Sequence, residues 1–184
     1  VKVGNAAGLG TGPLSMATGT TLSSDSTMAR VLTNGYTLDG SVTLGDGTST
    51  GQLTLSGAGT LGSNTTVTTP SVVVLSGAIG GAFSLTKLGA SVLTLSGVNT
   101  FTGGVTVQGG AGSILRIGND AALGSGLLTL NTAGVVVSSD SGTARALGNG
   151  FTIGANVTLG DGTNNGVLTF GGAGALTANP TVAV

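Results

Sequence analysis

Short alternations of apolar and polar residues recur along the whole chain. Val92–Leu95, Val105–Val107 and Leu115–Ile117 alternate with a period of two, which is typical of strands with one buried face. Three such strands within about 30 residues, divided by glycine turns and without a helical stretch, indicate one coil of a β-solenoid. Further alternations lie at Leu53–Leu55, Val72–Leu75, Leu128–Leu130, Val135–Val137 and Leu168–Phe170.

Threonine occupies many of the positions that should point outward between two buried residues. It suits them because it is β-branched, has a stiff side chain and can hydrogen-bond to a stacked neighbour. These threonines are Thr43, Thr54, Thr94, Thr106, Thr129, Thr158 and Thr169. Asn-Gly and Asp-Gly pairs between the strands predict tight turns with a positive φ. The pairs are Asn34-Gly35, Asp46-Gly47, Asn149-Gly150, Asp161-Gly162 and Asn165-Gly166.

Residues 83 to 117 resemble a known repeat. They include Leu85-Thr86-Lys87, Leu93-Thr94-Leu95-Ser96-Gly97, Asn99-Thr100-Phe101-Thr102-Gly103-Gly104 and Val105-Thr106-Val107. This run closely resembles the passenger-associated transport repeat of bacterial autotransporters, typically LTKxGxGTLTLSGxNTYTGGTTVxxG. It departs at Ser91, where glycine is usual, at Phe101, where tyrosine is usual, and by a small insertion at 110–113. The resemblance implies a secreted, right-handed parallel β-helix on a large surface protein, and it implies no particular activity.

The chain also repeats itself with a period of about 115 residues. Residues 3–10 recur at 117–124, residues 24–26 at 139–141, residues 29–30 at 144–145, and residues 42–48 at 157–163. We therefore expect one β-solenoid segment over residues 1–184, with a first unit at 1–114 and a partial second unit at 115–184. A unit of this length predicts about five coils, and the chain about eight, all in one all-β, right-handed parallel β-helix.

Composition agrees with a folded solenoid. Only 6% of the residues are charged while 39% are hydrophobic, which is the reverse of a disordered chain. One Tyr, four Phe and no Trp are too few for an ordinary globular core, so rows of aliphatic side chains must form it. Cysteine is absent and no disulfide holds the fold. Because the chain starts at Val1 and both ends fall inside the repeat pattern, we expect a piece of a longer protein.

Two glycine motifs have candidate chemistry. Residues 57–62 fit GxGxxG, but a dinucleotide site needs a following helix and none is predicted. Residues 47–51 fit GxSxG, but the chain has no histidine to act as a base, and Asn164 stands at the equivalent serine position. We interpret both motifs as coil corners.

The acidic residues are all aspartates and do not cluster. A glycan-cleaving site needs two carboxylates about 5–9 Å apart, whereas Asp46 and Asp161 lie one unit apart, as do Asp25 and Asp140. Calcium binding between turns is the other possibility, and turn formation by Asp side chains is the preferred interpretation. Arg30 and its equivalent Arg145 are expected at an outward corner of the unit. Asn99 is expected to be a stacked, hydrogen-bonded turn residue.

Three functions stay open, in descending order. The first is a structural or adhesive extracellular protein of the bacterial cell surface, a passenger stalk or fibre-forming segment without catalytic activity. The second is an ice-binding or other ligand-binding solenoid with threonine ladders, although the threonines come singly and not as Thr-X-Thr. The third is a glycan-active β-helix enzyme, for which His, Glu, Trp and any acid cluster are missing.

The sequence accordingly predicts no catalytic, cofactor-binding or metal-binding residue and no cofactor. A net charge of −1 disfavours nucleic acid as a partner. The longest aliphatic run, Val72 to Leu75, is too short to span a membrane. The segments Val1–Val3 and Val182–Val184 resemble interior strands, so end-to-end self-association is expected. No feature identifies a receptor, the organism or the number of units in the parent protein.

Overall fold

The computed structural model describes residues 1–184 and consists of short strands joined by turns, without a helix. In chain order the strands are β1 (Lys2–Val3), β2 (Leu14–Met16), β3 (Thr21–Ser24), β4 (Arg30–Leu32), β5 (Tyr36–Leu38), β6 (Ser41–Leu44), β7 (Leu53–Leu55), β8 (Gly59–Leu61), β9 (Thr65–Thr68), β10 (Val73–Leu75), β11 (Ile79–Gly80), β12 (Leu85–Leu88), β13 (Val92–Leu95), β14 (Val105–Val107), β15 (Ile114–Ile117), β16 (Leu128–Leu130), β17 (Val136–Ser139), β18 (Arg145–Leu147), β19 (Phe151–Ile153), β20 (Val157–Leu159), β21 (Leu168–Phe170), β22 (Gly174–Leu176) and β23 (Val182–Ala183).

The strands stack into three faces, which the chain follows in the order 1, 2, 3, although some coils have no strand on face 2 or face 3. Face 1 is the nine-stranded sheet β1-β3-β6-β9-β12-β14-β16-β19-β22, and face 2 is the eight-stranded sheet β4-β7-β10-β13-β15-β17-β20-β23. Face 3 comprises the four-stranded sheet β2-β5-β8-β11 and the two-stranded sheet β18-β21. Neighbouring strands are parallel, as in β12 with β14 and β13 with β15. The prediction of an all-β, parallel β-solenoid of about eight coils is confirmed.

Coil length varies while the strands stay in register. Val67 pairs with Lys87 and Lys87 with Val107, so these two coils contain 20 residues each. Val42 pairs with Val67, 25 residues further on. The additional residues of the longer coils lie in the turns, because the paired strands themselves are three or four residues long.

The core is a column of aliphatic side chains stacked coil upon coil. On face 2 the inward ladder runs through Leu53, Val73, Leu93, Leu115 and Val137. All five are completely buried within one cluster of 32 hydrophobic residues. Each therefore packs against the coil before it and the coil after it, which compensates for the scarcity of aromatic rings.

Six of the seven threonines expected to point outward are half-buried or exposed, and Thr94 is the exception at 8% exposure. Thr94 stands in the ladder between Val74 and Arg116, whose larger side chains flank it. The limits of three strands also differ from expectation. β10 starts at Val73, β15 starts at Ile114, and β17 covers Val136–Ser139.

The positive-φ prediction for the turn glycines is correct only for Gly162, with φ 72°. A left-handed conformation is found at the glycines that directly follow strands β6 and β20, Gly45 at 94° and Gly160 at 110°. The reason is local. The carboxylate of the Asp that follows each of these glycines accepts hydrogen bonds from the backbone N–H groups two and three residues later, and these bonds shape the loop. Gly166 is needed for a different purpose, because the carbonyl oxygen of Thr143 lies where its Cβ would be.

Candidate functional site

The GxGxxG segment at residues 57–62 is a packed corner. It leads into strand β8, not into a helix. A Cβ atom on Gly59 would lie 2.5 Å from the ring of the buried Tyr36, and one on Gly57 would meet the carbonyl of Asn34. These glycines permit close approach of successive coils, so the motif offers no phosphate site.

The serine of the GxSxG segment is also structural. Ser49 is 7% exposed. Its Oγ accepts a hydrogen bond from Lys2 Nζ at 3.1 Å and donates to the carbonyl oxygen of Asp25 at 3.2 Å. With both its donor and an acceptor position engaged and no base beside it, Ser49 cannot act as an activated nucleophile.

Residues 46–51 form a loop, here called the first Asp loop, that is organised by one carboxylate. Asp46 Oδ1 accepts from Thr48 N at 2.9 Å, from Thr48 Oγ1 at 3.0 Å and from Ser49 N. Its Oδ2 accepts from Ser23 Oγ at 3.0 Å and lies 3.1 Å from Lys2 Nζ. The Ser49 N–H bond is the largest of the contacts that hold the pKa of Asp46 far below its usual range.

The second Asp loop, residues 161–166, repeats this arrangement. Asp161 Oδ1 accepts from Thr163 N at 3.1 Å and Asn164 N at 2.7 Å, and Oδ2 from Ser138 Oγ at 3.1 Å. Arg116 takes the place of Lys2, with its Nη2 2.8 Å from Oδ2. Burial opposes ionisation here, but the hydrogen bonds from Asn164 prevail and lower the pKa of Asp161. Both carboxylates are saturated by protein donors.

Arg30 and Arg145, which were expected at an outward corner, are the first residues of strands β4 and β18 and are held by ion pairs. Arg30 Nη2 lies 2.8 Å from Asp25 Oδ1, and its Nε donates to the Val3 carbonyl at 3.1 Å. Arg145 forms the equivalent 2.8 Å ion pair with Asp140. The guanidinium groups are largely covered, at 14% and 18% exposure. Each guanidinium is thus bound to the turn before its own strand, and that of Arg30 is also bound to the neighbouring coil.

Asn99 is a stacked turn residue, as expected. It is 4% exposed. Its Oδ1 accepts from Ile79 N at 2.8 Å, and its Nδ2 donates to the Ala122 carbonyl at 2.6 Å. The side chain thus connects the coil before it with the coil after it.

Sequence reasoning missed Lys87, which is completely buried in the core. Its amino group donates to Thr69 Oγ1 at 3.2 Å, Gly89 O at 3.0 Å and Ser113 Oγ at 2.9 Å, and it forms no ion pair. Burial lowers its pKa to about 8. The available signal was the alternation itself, because Lys87 follows inward Leu85 by two residues.

A cleft of 790 Å³ lies beside the second Asp loop, with Val136, Leu159 and Phe170 among its apolar lining. In the first unit the equivalent place is filled. The Ser71 side chain packs there against Gly45, whereas nothing lies within 4 Å of a Cβ built on Gly160. The cleft is therefore the kind of surface that the next coil covers, not a shaped ligand pocket.

No group of three or more potential metal-ligating side chains occurs in the structure. It also contains no helix with the length and hydrophobicity required to cross a membrane. The candidate site is a surface built from repeated loops and ladders.

Comparison with known proteins supports this description. Residues 85–111 match the passenger-associated-transport-repeat family. Over 154 residues, 78% of this chain, the sequence is 33% identical to the protein named "Adhesin BmaC autotransporter" of Brucella suis biovar 1 (strain 1330). The chain spans only 4% of that protein's length. No solved structure matches significantly.

Proposed function

We propose, from the autotransporter passenger repeat that this chain carries, that it is an adhesive, non-catalytic stretch of an extracellular passenger on a bacterial surface. The observation that carries the proposal is the 33% identity to part of an autotransporter adhesin, extended over most of the chain. A parallel β-solenoid is suited to this role, because each coil extends the molecule by about 4.8 Å away from the cell.

The chemistry of the side chains supports a binding or structural role in preference to catalysis. The chain contains no His, Cys or Glu. The carboxylates of Asp46 and Asp161 are occupied by protein donors. Lys87, whose pKa is lowered, is enclosed in the core and inaccessible to a substrate.

Adhesion can be tested with beads that carry the 184-residue chain. We expect these beads to be retained on cultured epithelial monolayers above the level of albumin-coated beads. The matched control is Leu95→Asp, which places an unpaired charge in the core and prevents folding. Retention equal to that of the Leu95→Asp and albumin beads would contradict an adhesive role and leave a spacer role.

A second candidate function is ligand or ice binding by a threonine ladder. One observation favours it: Thr66, Thr86, Thr106, Thr129 and Thr152 stand in register on five successive coils of face 1. The neighbouring outward column begins with Thr43 and Thr68 but continues with Leu88, so two threonine columns do not run side by side along the whole ladder. Measurement of thermal hysteresis tests this candidate, with Thr106→Lys in the middle of the ladder as the control.

A further inference from the structure

Equivalent residues of the two units build the same local structure. Asn34 Nδ2 donates to the carbonyls of Gly10 and Gly12, and Asn149 Nδ2 donates to those of Gly124 and Gly126. The two Asp loops and the two Arg–Asp ion pairs also correspond, although Arg116 replaces Lys2 and Arg145 lacks the bond from Nε that Arg30 makes to Val3. The sequence repeat is thus a repeat of three-dimensional detail.

These equivalent segments nevertheless lie on different faces. Strand β3 belongs to face 1, whereas its equivalent β17 belongs to face 2. Strand β4 of face 2 corresponds to β18 of face 3, and β5 of face 3 corresponds to β19 of face 1. In all three comparisons, the strand of the second unit lies one face further along the chain's path than its equivalent in the first unit.

The strand order gives the number of turns in one unit. On face 1, β3 is followed by β6, β9, β12, β14 and β16, which is five coils, and the next strand along the chain is β17. On face 2, five coils likewise lead from β4 to β17, and β18 follows. One unit therefore makes five turns and one third of another, which refines the expectation of about five coils from the sequence.

We propose that each unit of about 115 residues presents its surface rotated by one face relative to the unit before it. In a chain that joins such units in tandem, each copy of the Asp loop would lie about 26 Å along the axis from the last and one third of a turn around it. Three units would complete sixteen coils, about 77 Å, before a loop returned to its first face.

The consequence for binding rests on the proposed adhesive function. Each Asp loop is itself polar and its carboxylate is paired, so the loop suits a neutral partner rich in hydrogen-bonding groups. Rotation by one face per unit presents copies of this surface on all three sides. A passenger of this kind could engage a partner-coated surface in any rotational orientation, with copies on different units acting together.

The rotation is possible because the local structure does not depend on the face. Most strands alternate inward and outward residues over three or four positions, and strands inside a sheet pair with the coils directly before and after them. A segment therefore meets the same kind of neighbour on every face. Turns of different length take up the remaining differences between the coils.

Distances between paired spin labels can test the rotation, since the chain has no native cysteine. Thr37→Cys with Thr152→Cys labels an equivalent pair on faces 3 and 1. Ser41→Cys with Thr152→Cys labels two positions five coils apart on face 1. We expect about 24 Å between the backbones of the face 1 pair and a longer distance for the equivalent pair, displaced sideways by about 10 Å or more.

If a unit contained a whole number of coils, Thr37 and Thr152 would share a face, whereas Ser41 and Thr152 would lie on different faces. The Thr37–Thr152 distance would then be the shorter of the two. Equal distances or the reversed order would overturn the proposal. Thr60→Cys with Ala175→Cys, against Thr66→Cys with Ala175→Cys, repeats the test if the first set fails to fold, and Thr60 and Ala175 are exposed. The distances do not depend on adhesion, so each proposal can fail without the other.

Discussion

Lys87 places a titrating amine among aliphatic side chains. Its three N–H donors reach only the neutral oxygens of Thr69, Gly89 and Ser113. Burial lowers its pKa from 10.5 to about 8. Below pH 8 the folded and unfolded states both hold the proton, and the folded state bears the full cost of the buried charge, about 3 kcal/mol.

We expect the chain to become more stable as the pH rises from 8 to 10. In this window the unfolded state binds more protons than the folded state, which makes the free energy of unfolding increase with pH. The increase ends near pH 10. Burial raises the pKa of Tyr36 in the folded state, so above pH 10 the tyrosine ionises in the unfolded state first, and this lowers the free energy of unfolding. Thermal unfolding at several pH values measures the slope.

Lys87→Met should abolish this pH dependence. Methionine preserves most of the volume, and the hydroxyls of Thr69 and Ser113 keep their own acceptors, the carbonyls of Leu88 and Gln108. The control is Lys2→Met, which removes an amine with 55% side-chain exposure and should retain the slope. A wild-type melting temperature that is flat from pH 8 to 10 would contradict the argument.

Leu95 and Thr106 test the assignment of inward and outward positions. Leu95 is completely buried between Leu75 and Ile117 of the neighbouring coils. Leu95→Ala should therefore cost about 2–5 kcal/mol, through lost transfer energy and a cavity. Thr106→Ala changes a half-buried outward residue and should cost less than about 1 kcal/mol. Denaturant titration compares the two, and equal losses would refute the assignment.

At the scale of the element, the second Asp loop depends on an ionised carboxylate. The lowered pKa of Asp161 means that its contribution to stability is present above about pH 4, and is lost as the pH falls through the folded-state pKa. Asp161→Asn should destabilise the chain by about 1–3 kcal/mol at pH 7 and flatten its acid unfolding curve. Asp39→Asn, at an exposed aspartate without an ion pair, should leave both unchanged.

The Asp loops should not respond to calcium. The Oδ2 atom of Asp161 already accepts from the side chains of Arg116, Ser138 and Asn164, and a cation would have to displace these donors. We expect the same melting temperature, within about one degree, in chelator and in millimolar calcium. An increase of about ten degrees with calcium would show that the carboxylates bind metal.

The strands were largely predictable from the sequence, and their side-chain environments less so. Alternation over three or four residues locates Leu53–Leu55 and Val105–Val107 to the residue. It does not reveal that an inward position can hold an amine, because the acceptors for Lys87 come from Thr69 and Ser113 in other coils. Turn geometry was harder to predict, since an Asp-Gly pair can fold through the Asp carboxylate without a positive φ at the glycine.

At the scale of the whole molecule, the sequence repeat was visible but its rotation was not. The period of about 115 residues follows from comparing one stretch of sequence with another. The number of coils in that period depends on coil length, which varies from 20 to 25 residues with the turns. No local pattern marks the face on which a strand lies, because all three faces use the same alternation.

The two ends of this segment expose unpaired strands on every face. β1, β4 and β2 lie at one edge of their sheets, and β22, β23 and β21 lie at the other edge. The last coil is also apolar at its surface, with Leu176 64% exposed. We propose that a polypeptide of these 184 residues associates end to end, each contact continuing the ladder by about 4.8 Å.

Such a contact joins two different surfaces, so it should generate open chains instead of closed dimers. A net charge of −1 provides little repulsion between molecules, and high salt should therefore leave the assemblies intact. Sedimentation velocity over a hundredfold range of concentration should show a weight-average mass that rises continuously. Leu176→Lys, which places a charge on the exposed last coil, should shift the rise to higher concentration, whereas the same change at outward Thr60 should not. A strict monomer at all concentrations would mean that the edges of the terminal coils are protected from pairing.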